Sequence, residues 1–321
     1  MKKTFSVVIP IYKSEENLPV TIPYIMENVK KLFPNYKFEL ILVNDGSPDN
    51  SWEIMKGYAA MYPDTIRIAR FTRNFGQTAA VYYGLSIATG DVMGVISADL
   101  QDPFDLFADM LEKWKDGNEL VCAVRENRDE KGLSVVFSKL THKLIKRFIN
   151  SNYPSGGFDF YLMDASVRDK LLEFKDKNGQ PQVALLWLGV PTAYINYTRS
   201  KRELGTSGWT LSKKIKLVID IFTTYSYLPL RIISGFGCLC ALGSVLYGIY
   251  LLISAFVVTT TVPGWNTLAM LIVFLIGTTL FCLGIIGEYL WRIFDEVKKR
   301  PMYVVRDNQD RKKVSDENAN K

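Results

Sequence analysis

Three short polar clusters in the first third of the chain have the residue types for ligand chemistry. Tyr12 and Glu15 follow the apolar run Val7-Val8-Ile9-Pro10-Ile11, Asp45-Gly46-Ser47 follows Val43-Asn44, and Ser97-Ala98-Asp99-Leu100-Gln101-Asp102-Pro103 follows Val92–Ile96. A carboxylate just past a buried strand accepts hydrogen bonds from a ribose or a base, and a glycine beside it lets the backbone approach closely. Each cluster also has a plainer reading. Asn44-Asp45-Gly46-Ser47 makes an ordinary turn, and Asp102 ahead of Pro103 makes a helix cap. Three in succession at strand ends point to one binding edge.

Other chemistries are excluded by composition. His142 is the only histidine and sits in a lysine-rich helical stretch, so a Ser-His-Asp or Cys-His mechanism has no base unless His142 serves. Cys122, Cys238, Cys240 and Cys282 form no Cys-x-x-Cys pair, which argues against a zinc site or a disulfide framework and fits a reducing compartment. Any metal must then be held by oxygen ligands, which suits magnesium or manganese. The net charge of +6 is modest. No basic stripe interleaved with aromatics marks a nucleic-acid surface.

The elements that must position these clusters alternate in type. Phe5–Ile11, Phe38–Asn44, Ile66–Phe71, Asp91–Ser97 and Leu120–Val124 read as strands, with helices over Glu15–Leu32, Ser51–Met61, Gly76–Ala88 and Pro103–Lys115. That alternation predicts a mostly parallel α/β sheet covered on both faces. Val92–Ile96 is apolar without alternation, as for a strand buried on both sides. Asn50 with Glu53 predicts one helix cap, and Asp102-Pro103 another. Further on, Lys131–Asn150 reads as a basic amphipathic helix, and Phe158–Met163 and Ala193–Arg199 as strands.

The last third changes character. Leu211–Phe222 places apolar residues at 211, 215, 218, 219 and 222 and lysines at 213, 214 and 216. Such a helix lies in a membrane interface or packs on the preceding domain. Ile232–Val258 and Leu268–Trp291 each exceed the roughly 20 apolar residues that cross a bilayer. Their outer flanks are basic and the link Thr259–Asn266 is uncharged, which predicts a multi-pass protein of the cytoplasmic membrane with both termini and the large domain in the cytoplasm. The expected organisation is a catalytic domain at 1–208, an amphipathic helix at 209–230, a two-helix membrane domain at 231–295 and a polar tail at 296–321.

Taken together, the motifs resemble inverting glycosyltransferases of family 2, in the branch of polyprenyl-phosphate hexosyltransferases. That branch includes dolichol-phosphate mannose synthases and bacterial undecaprenyl-phosphate (bactoprenol) glucosyltransferases, and the paired terminal spans match the second group best. The resemblance runs from Phe5 to about Tyr303. It implies the GT-A fold, a Rossmann-like sheet with helices on both faces, followed by the interfacial helix and two transmembrane helices. By resemblance, Pro10, Tyr12 and Glu15 contact the nucleotide, Asp45 binds base or ribose, and Arg73-Asn74-Phe75-Gly76 borders the donor pocket. Asp99 and Gln101 match the metal ligands of the Asp-Ala-Asp-Leu-Gln motif, with Asp102 beside them at the substrate. Gly157-Phe158-Asp159-Phe160-Tyr161-Leu162 resembles the Asp-Phe-Arg-Leu motif and places Asp159 at the sugar, orienting it or acting as a weak base.

Arg199 and Arg202-Glu203-Leu204-Gly205-Thr206-Ser207 resembles the Arg-x-x-Gly-x-Ser element, where Arg202 and Ser207 would hold phosphate oxygens; on its own it reads equally as a solvated basic loop. Three positions depart from the pattern: Ser97 stands for the first aspartate, Tyr161 for the arginine and Gly208 for a lysine. The implied partners are a nucleotide-sugar (UDP-glucose first), a polyprenyl phosphate and the lipid bilayer, and the resemblance makes a homo-oligomer an expectation, although the sequence does not fix the oligomeric state. Another lipid or glycan acceptor is a rival reading, although the Gln-x-x-Arg-Trp signature of processive synthases is missing. A non-catalytic membrane protein that binds sugar nucleotides is a second.

Overall fold

The structure is a computed structural model that describes residues 2–125, 146–147, 151–154, 157–174, 180–198, 264–308 and parts of 230–249. Two compact units result: residues 1–218 with 301–321, and residues 219–300.

In the first unit, strands and helices alternate as β1 (Thr4–Ile11), α1 (Leu18–Leu32), β2 (Lys37–Asn44), α2 (Ser51–Met61), β3 (Ile66–Phe71), α3 (Gln77–Ile87), β4 (Val92–Val95), α4 (Leu106–Lys115) and β5 (Leu120–Arg125). β6 (Phe160–Asp164), α5 (Ala165–Glu173), α6 (Pro181–Trp187) and β7 (Thr192–Tyr197) complete the run. Among the described residues the strands form one eight-stranded sheet, ordered β7-β5-β6-β4-β1-β2-β3-β8, with β8 at Val305–Asn308. β3, β2, β1 and β4 run parallel, as do β5 and β7, while β6 and β8 run antiparallel to their neighbours. The fold is an α/β, Rossmann-like and mostly parallel sheet.

Burial explains the pattern. β4 is buried along its whole length, as its unbroken apolar run predicts. On one face Phe5, Val7 and Ile9 of β1 meet Leu18, Ile22 and Ile25 of α1, Met55 of α2 and Phe107 and Met110 of α4. Phe5, Phe33, Phe38, Phe104, Phe107 and Phe160 meet mostly edge to face there, a geometry that adds to their area burial. On the other face α3 lies so close that a Cβ on Gly84 would come 2.3 Å from Val8 Cγ1.

The predicted caps are corrected. Asn50 makes no side-chain cap; Asp49 accepts from the Ser51 amide instead. α4 begins at Leu106, so Asp102 is no cap. α1 begins at Leu18 because Ser14–Asn17 forms a turn of its own. The reading of residues 296–321 as a polar tail also fails over Val305–Asn308. That segment pairs with β3 and closes an edge, Thr72 N–H donating to the Val304 carbonyl at 3.0 Å.

In the second unit, α7 (Trp265–Val297) is 33 residues long, about 50 Å at 1.5 Å per residue. Phe274–Val297 has a mean hydropathy of 1.6, long and apolar enough to cross a membrane. The expected first span lies largely outside the described residues, as do the amphipathic helix at 209–230, His142 and most of Lys131–Asn150.

Candidate active site

Strand direction decides where the polar clusters meet. β1, β2 and β4 are parallel, so the loops after Ile11, Asn44 and Val95 emerge at one edge of the sheet. Antiparallel β6 begins there, because Tyr161 pairs with Val95 and Phe160 with Ala123. Arg125 and Tyr197, in register at the ends of β5 and β7, reach the same edge. The strand order also reverses between β1 and β4, the position where open α/β sheets bind ligands.

Pro10 helps to open that position. The Val8 carbonyl accepts from Ile96 N–H, so even-numbered residues of β1 turn their backbone groups toward β4. Pro10 has no N–H to continue that ladder, and the β1–β4 pairing stops at Val8 and Val95.

The first two loops are laced together. Ser47 Oγ accepts from Lys13 N–H at 2.7 Å and donates to Asp49 Oδ1 at 2.6 Å. The Glu15 carboxylate accepts from Asn50 N–H at 2.9 Å, and Glu15 N–H donates back to Asp49 at 3.2 Å. Tyr12 is exposed beside this lattice. Lys13, at φ 52°, adopts a conformation uncommon outside glycine, of the kind that gathers at functional sites.

Asp45, 2% exposed, accepts from the amides of Phe75 at 2.7 Å and Gly76 at 2.9 Å. Burial raises its pKa from the ordinary value against the pull of those two bonds. Gly46 is required by the same loop. It has φ 60°, and a Cβ there would lie 2.2 Å from the Arg73 carbonyl carbon. The close approach that glycine allows is to the Arg73-Asn74-Phe75-Gly76 backbone. Arg73 lies over the Phe75 ring at 4.5 Å, at the surface.

The third loop carries the run Ser97-Ala98-Asp99-Leu100-Gln101-Asp102. Leu100 is held at φ 51° between Asp99 and Gln101. The Ser97 hydroxyl lies 2.7 Å from Asp99 Oδ1 and 2.8 Å from Asp102 Oδ2; having one proton, it donates to one carboxylate at a time. Where the family pattern has an aspartate, this chain thus has a hydroxyl joining two carboxylates. Asp102 is 1% exposed and also accepts from the Tyr197 hydroxyl at 2.5 Å.

Asp159 stands across from these loops. Arg125 Nη2 donates to its Oδ2 at 2.7 Å and Gln182 Nε2 to its Oδ1 at 3.1 Å. Its side chain is 51% exposed, that of Arg125 only 10%. Arg125 Nε in turn donates to the Tyr197 hydroxyl at 3.3 Å. Burial and the Asp102 carboxylate push the Tyr197 phenol well above its ordinary value, with Arg125 opposing them, so it keeps its proton and remains a donor. Tyr161, the departure from the Asp-Phe-Arg-Leu pattern, is fully buried and meets Phe158 edge to face.

The structure therefore brings Pro10, Tyr12, Glu15, Asp45, Arg73, Asp99, Gln101, Asp102 and Asp159 to one edge of the sheet. Arg199, Arg202 and Ser207 lie outside the described residues. Arg125, Tyr197 and Gln182 join the site without having been predicted. Arg125 and Tyr197 carry the same signal that marked Asp45 and Asp99, a polar side chain at the carboxyl end of a strand.

Known proteins give this arrangement a family. The model of glycosyl transferase family 2 matches residues 6–172. An uncharacterized glycosyltransferase, YkcC, of Bacillus subtilis is 37% identical over 305 residues, covering 94% of this chain and 93% of that one. The bactoprenol glucosyl transferase of Shigella phage SfII is 34% identical over 306 residues, covering 94% and 97%. Among solved structures, glucosyl-3-phosphoglycerate synthase from Mycobacterium tuberculosis, in complex with Mn2+, UDP and glucosyl-3-phosphoglycerate, superposes with a TM-score of 0.46 at 16% identity, covering 70% and 80%. With the family model matching more than half of the chain and relatives aligned along nearly all of it, this protein is a glycosyltransferase and belongs to glycosyl transferase family 2.

Proposed function

We propose that the protein transfers a hexose, glucose first among the candidates, from a nucleoside-diphosphate sugar to the phosphate of a polyprenyl lipid such as undecaprenyl phosphate, with inversion at the anomeric carbon. The observation that carries this reading is the convergence of the Ser97–Asp102 loop and Asp159 on one sheet edge, joined through Tyr197 and Arg125. Relatives named bactoprenol glucosyl transferases, aligned over 94% of the chain, support the choice of lipid and sugar.

In this reading Tyr12, Glu15, Asp45 and Arg73 line the nucleotide side. Asp45 and Glu15 act largely by holding loops, since their carboxylates already accept backbone N–H bonds. Among the described residues no three His, Cys, Asp or Glu side chains gather into a cage. Asp99 with the Gln101 amide oxygen fits a hard cation that takes its remaining oxygens from phosphate and water. Bound there, magnesium or manganese would offset charge on the departing diphosphate.

Asp159, gripped by a guanidinium and an amide, is an oriented acceptor for sugar hydroxyls. An acceptor phosphate oxygen attacks the anomeric carbon opposite the nucleotide, a bond forms there, and the bond to the diphosphate breaks with its electron pair leaving on the nucleotide. The acceptor phosphate is already anionic near neutral pH, so no strong base is required. The rate then comes from positioning and charge stabilisation. Arg199, Arg202 and Ser207 are proposed to hold phosphate oxygens, for which arginine's planar fork is suited. α7 and the basic run Lys298-Lys299-Arg300 fit a membrane protein whose catalytic domain faces the cytoplasm.

The experiment is transfer of radiolabelled sugar into organic-extractable lipid by purified protein, with a panel of nucleotide-sugars and either undecaprenyl phosphate or diacylglycerol. Acid-labile label on the phosphate lipid with one donor supports the reading. Label on diacylglycerol alone moves the acceptor, and no label from folded protein removes the proposal.

A further inference from the structure

The edge that carries the site is built from loops far apart in the chain, and one side chain spans them. Tyr197 donates to Asp102, 95 residues away, and accepts from Arg125, 72 residues away. Beyond Asp102, Ser97 leads to Asp99; beyond Arg125 stands Asp159. The phenol ring is fixed independently of its hydroxyl, being 6% exposed and edge-on to Phe160, with centroids 6.0 Å apart at 84°. Ring packing therefore sets the position of the hydroxyl, and the hydroxyl ties the donor-side loop to the sugar-side carboxylate.

We propose that Tyr197 is a positioning residue for the transfer, fixing the distance between the Ser97–Asp102 loop and Asp159 through Asp102 on one side and Arg125 on the other. The inference rests on the reading of this edge as the transfer site. A diphosphate held at Asp99 and a sugar held at Asp159 react only in a defined relation, and a displacement of about 1 Å at such a site costs about 100-fold in rate. Loss of the tie leaves each half able to bind and lowers the turnover of the pair.

The test is Tyr197→Phe in the full-length protein, which keeps the ring on Phe160 and removes the hydroxyl. Steady-state transfer, native and variant, is compared with hydrogen–deuterium exchange of the peptides carrying Asp99–Asp102 and Asp159. The expected result is a kcat about 10- to 100-fold lower with donor KM within about threefold, on the scale of a misplaced reacting group. Exchange rises in both peptides together. In a cycle with Asp159→Asn, the double variant is no slower than Asp159→Asn alone, whereas a merely structural role gives multiplying losses. A kcat within twofold of native, a loss confined to KM, or exchange rising in only one peptide overturns the proposal. If the native protein transfers no sugar yet both peptides loosen together in the variant, the tie stands and the reading of the reaction falls.

Discussion

Gly46 leaves no room for a side chain. Its φ of 60° and the 2.2 Å separation from the Arg73 backbone make Gly46→Ala costly twice over, by conformation and by collision. A strained backbone position of this kind costs about 1–3 kcal/mol, and the collision must move the loop whose amides Asp45 holds. Gly46→Ala is expected to lower both the thermal midpoint and the affinity for nucleotide; unchanged affinity would show that the Arg73–Gly76 loop does not face the donor. Asp164 gives a prediction about pH. Burial alone would raise its pKa, but the Ser166 amide, the Trp114 indole and nearby Lys3 hold it below the ordinary value. A depressed carboxylate contributes stability that is present above the unfolded-state pKa, about 3.9, and is lost as pH falls through the folded value. Asp164 also caps α5, so Asp164→Ala is expected to cost about 1–2 kcal/mol at pH 7. The gap in thermal midpoint from the native protein should narrow below about pH 4. A gap that stays constant across that window would contradict the assignment.

At the scale of elements, β8 returns to the sheet after α7 and pairs with β3 immediately ahead of the Arg73–Gly76 loop. Tyr303 stacks on Phe71, with centroids 5.2 Å apart, and meets Tyr83 edge-on at 5.1 Å, while Asn308 donates to the Tyr83 hydroxyl at 2.8 Å. Aromatic contacts of this kind contribute about 0.5–1.5 kcal/mol each beyond burial. Tyr303→Ala is therefore expected to destabilise the protein by about 1–3 kcal/mol and to speed tryptic cleavage after Arg73. An unaltered digestion pattern would mean that β8 only covers an edge.

Most central elements were legible because burial writes itself into the chain. Ile66–Phe71 and Ser51–Met61 appear where their apolar spacing places them. β8 was not legible, since Val305-Arg306-Asp307-Asn308 is short and charged, as suits an edge strand, and looks like any polar tail. The caps misled for another reason. Asp102 is drawn to Ser97 and Tyr197 rather than to a helix, and a hydrogen bond to a residue 95 positions away leaves no mark in local spacing. The loop clusters at the ends of β1, β2 and β4 were legible from residue type alone, whereas the polar run joining Asp102 to Asp159 needed the strand register to appear.

For the whole molecule, the central claim is that the edge holding Asp99 and Asp159 is where sugar leaves its nucleotide. The most direct measurement compares native protein with Asp99→Ala in the same transfer reaction to undecaprenyl phosphate, with manganese titrated and nucleotide binding followed in parallel. Loss of one preorganised electrostatic contact at a reacting centre commonly costs about 100-fold or more. The expected result is a folded variant whose labelled lipid falls by at least that factor and whose nucleotide binding no longer responds to manganese. A folded variant that transfers sugar at the native rate would contradict it and place the reaction elsewhere on the chain.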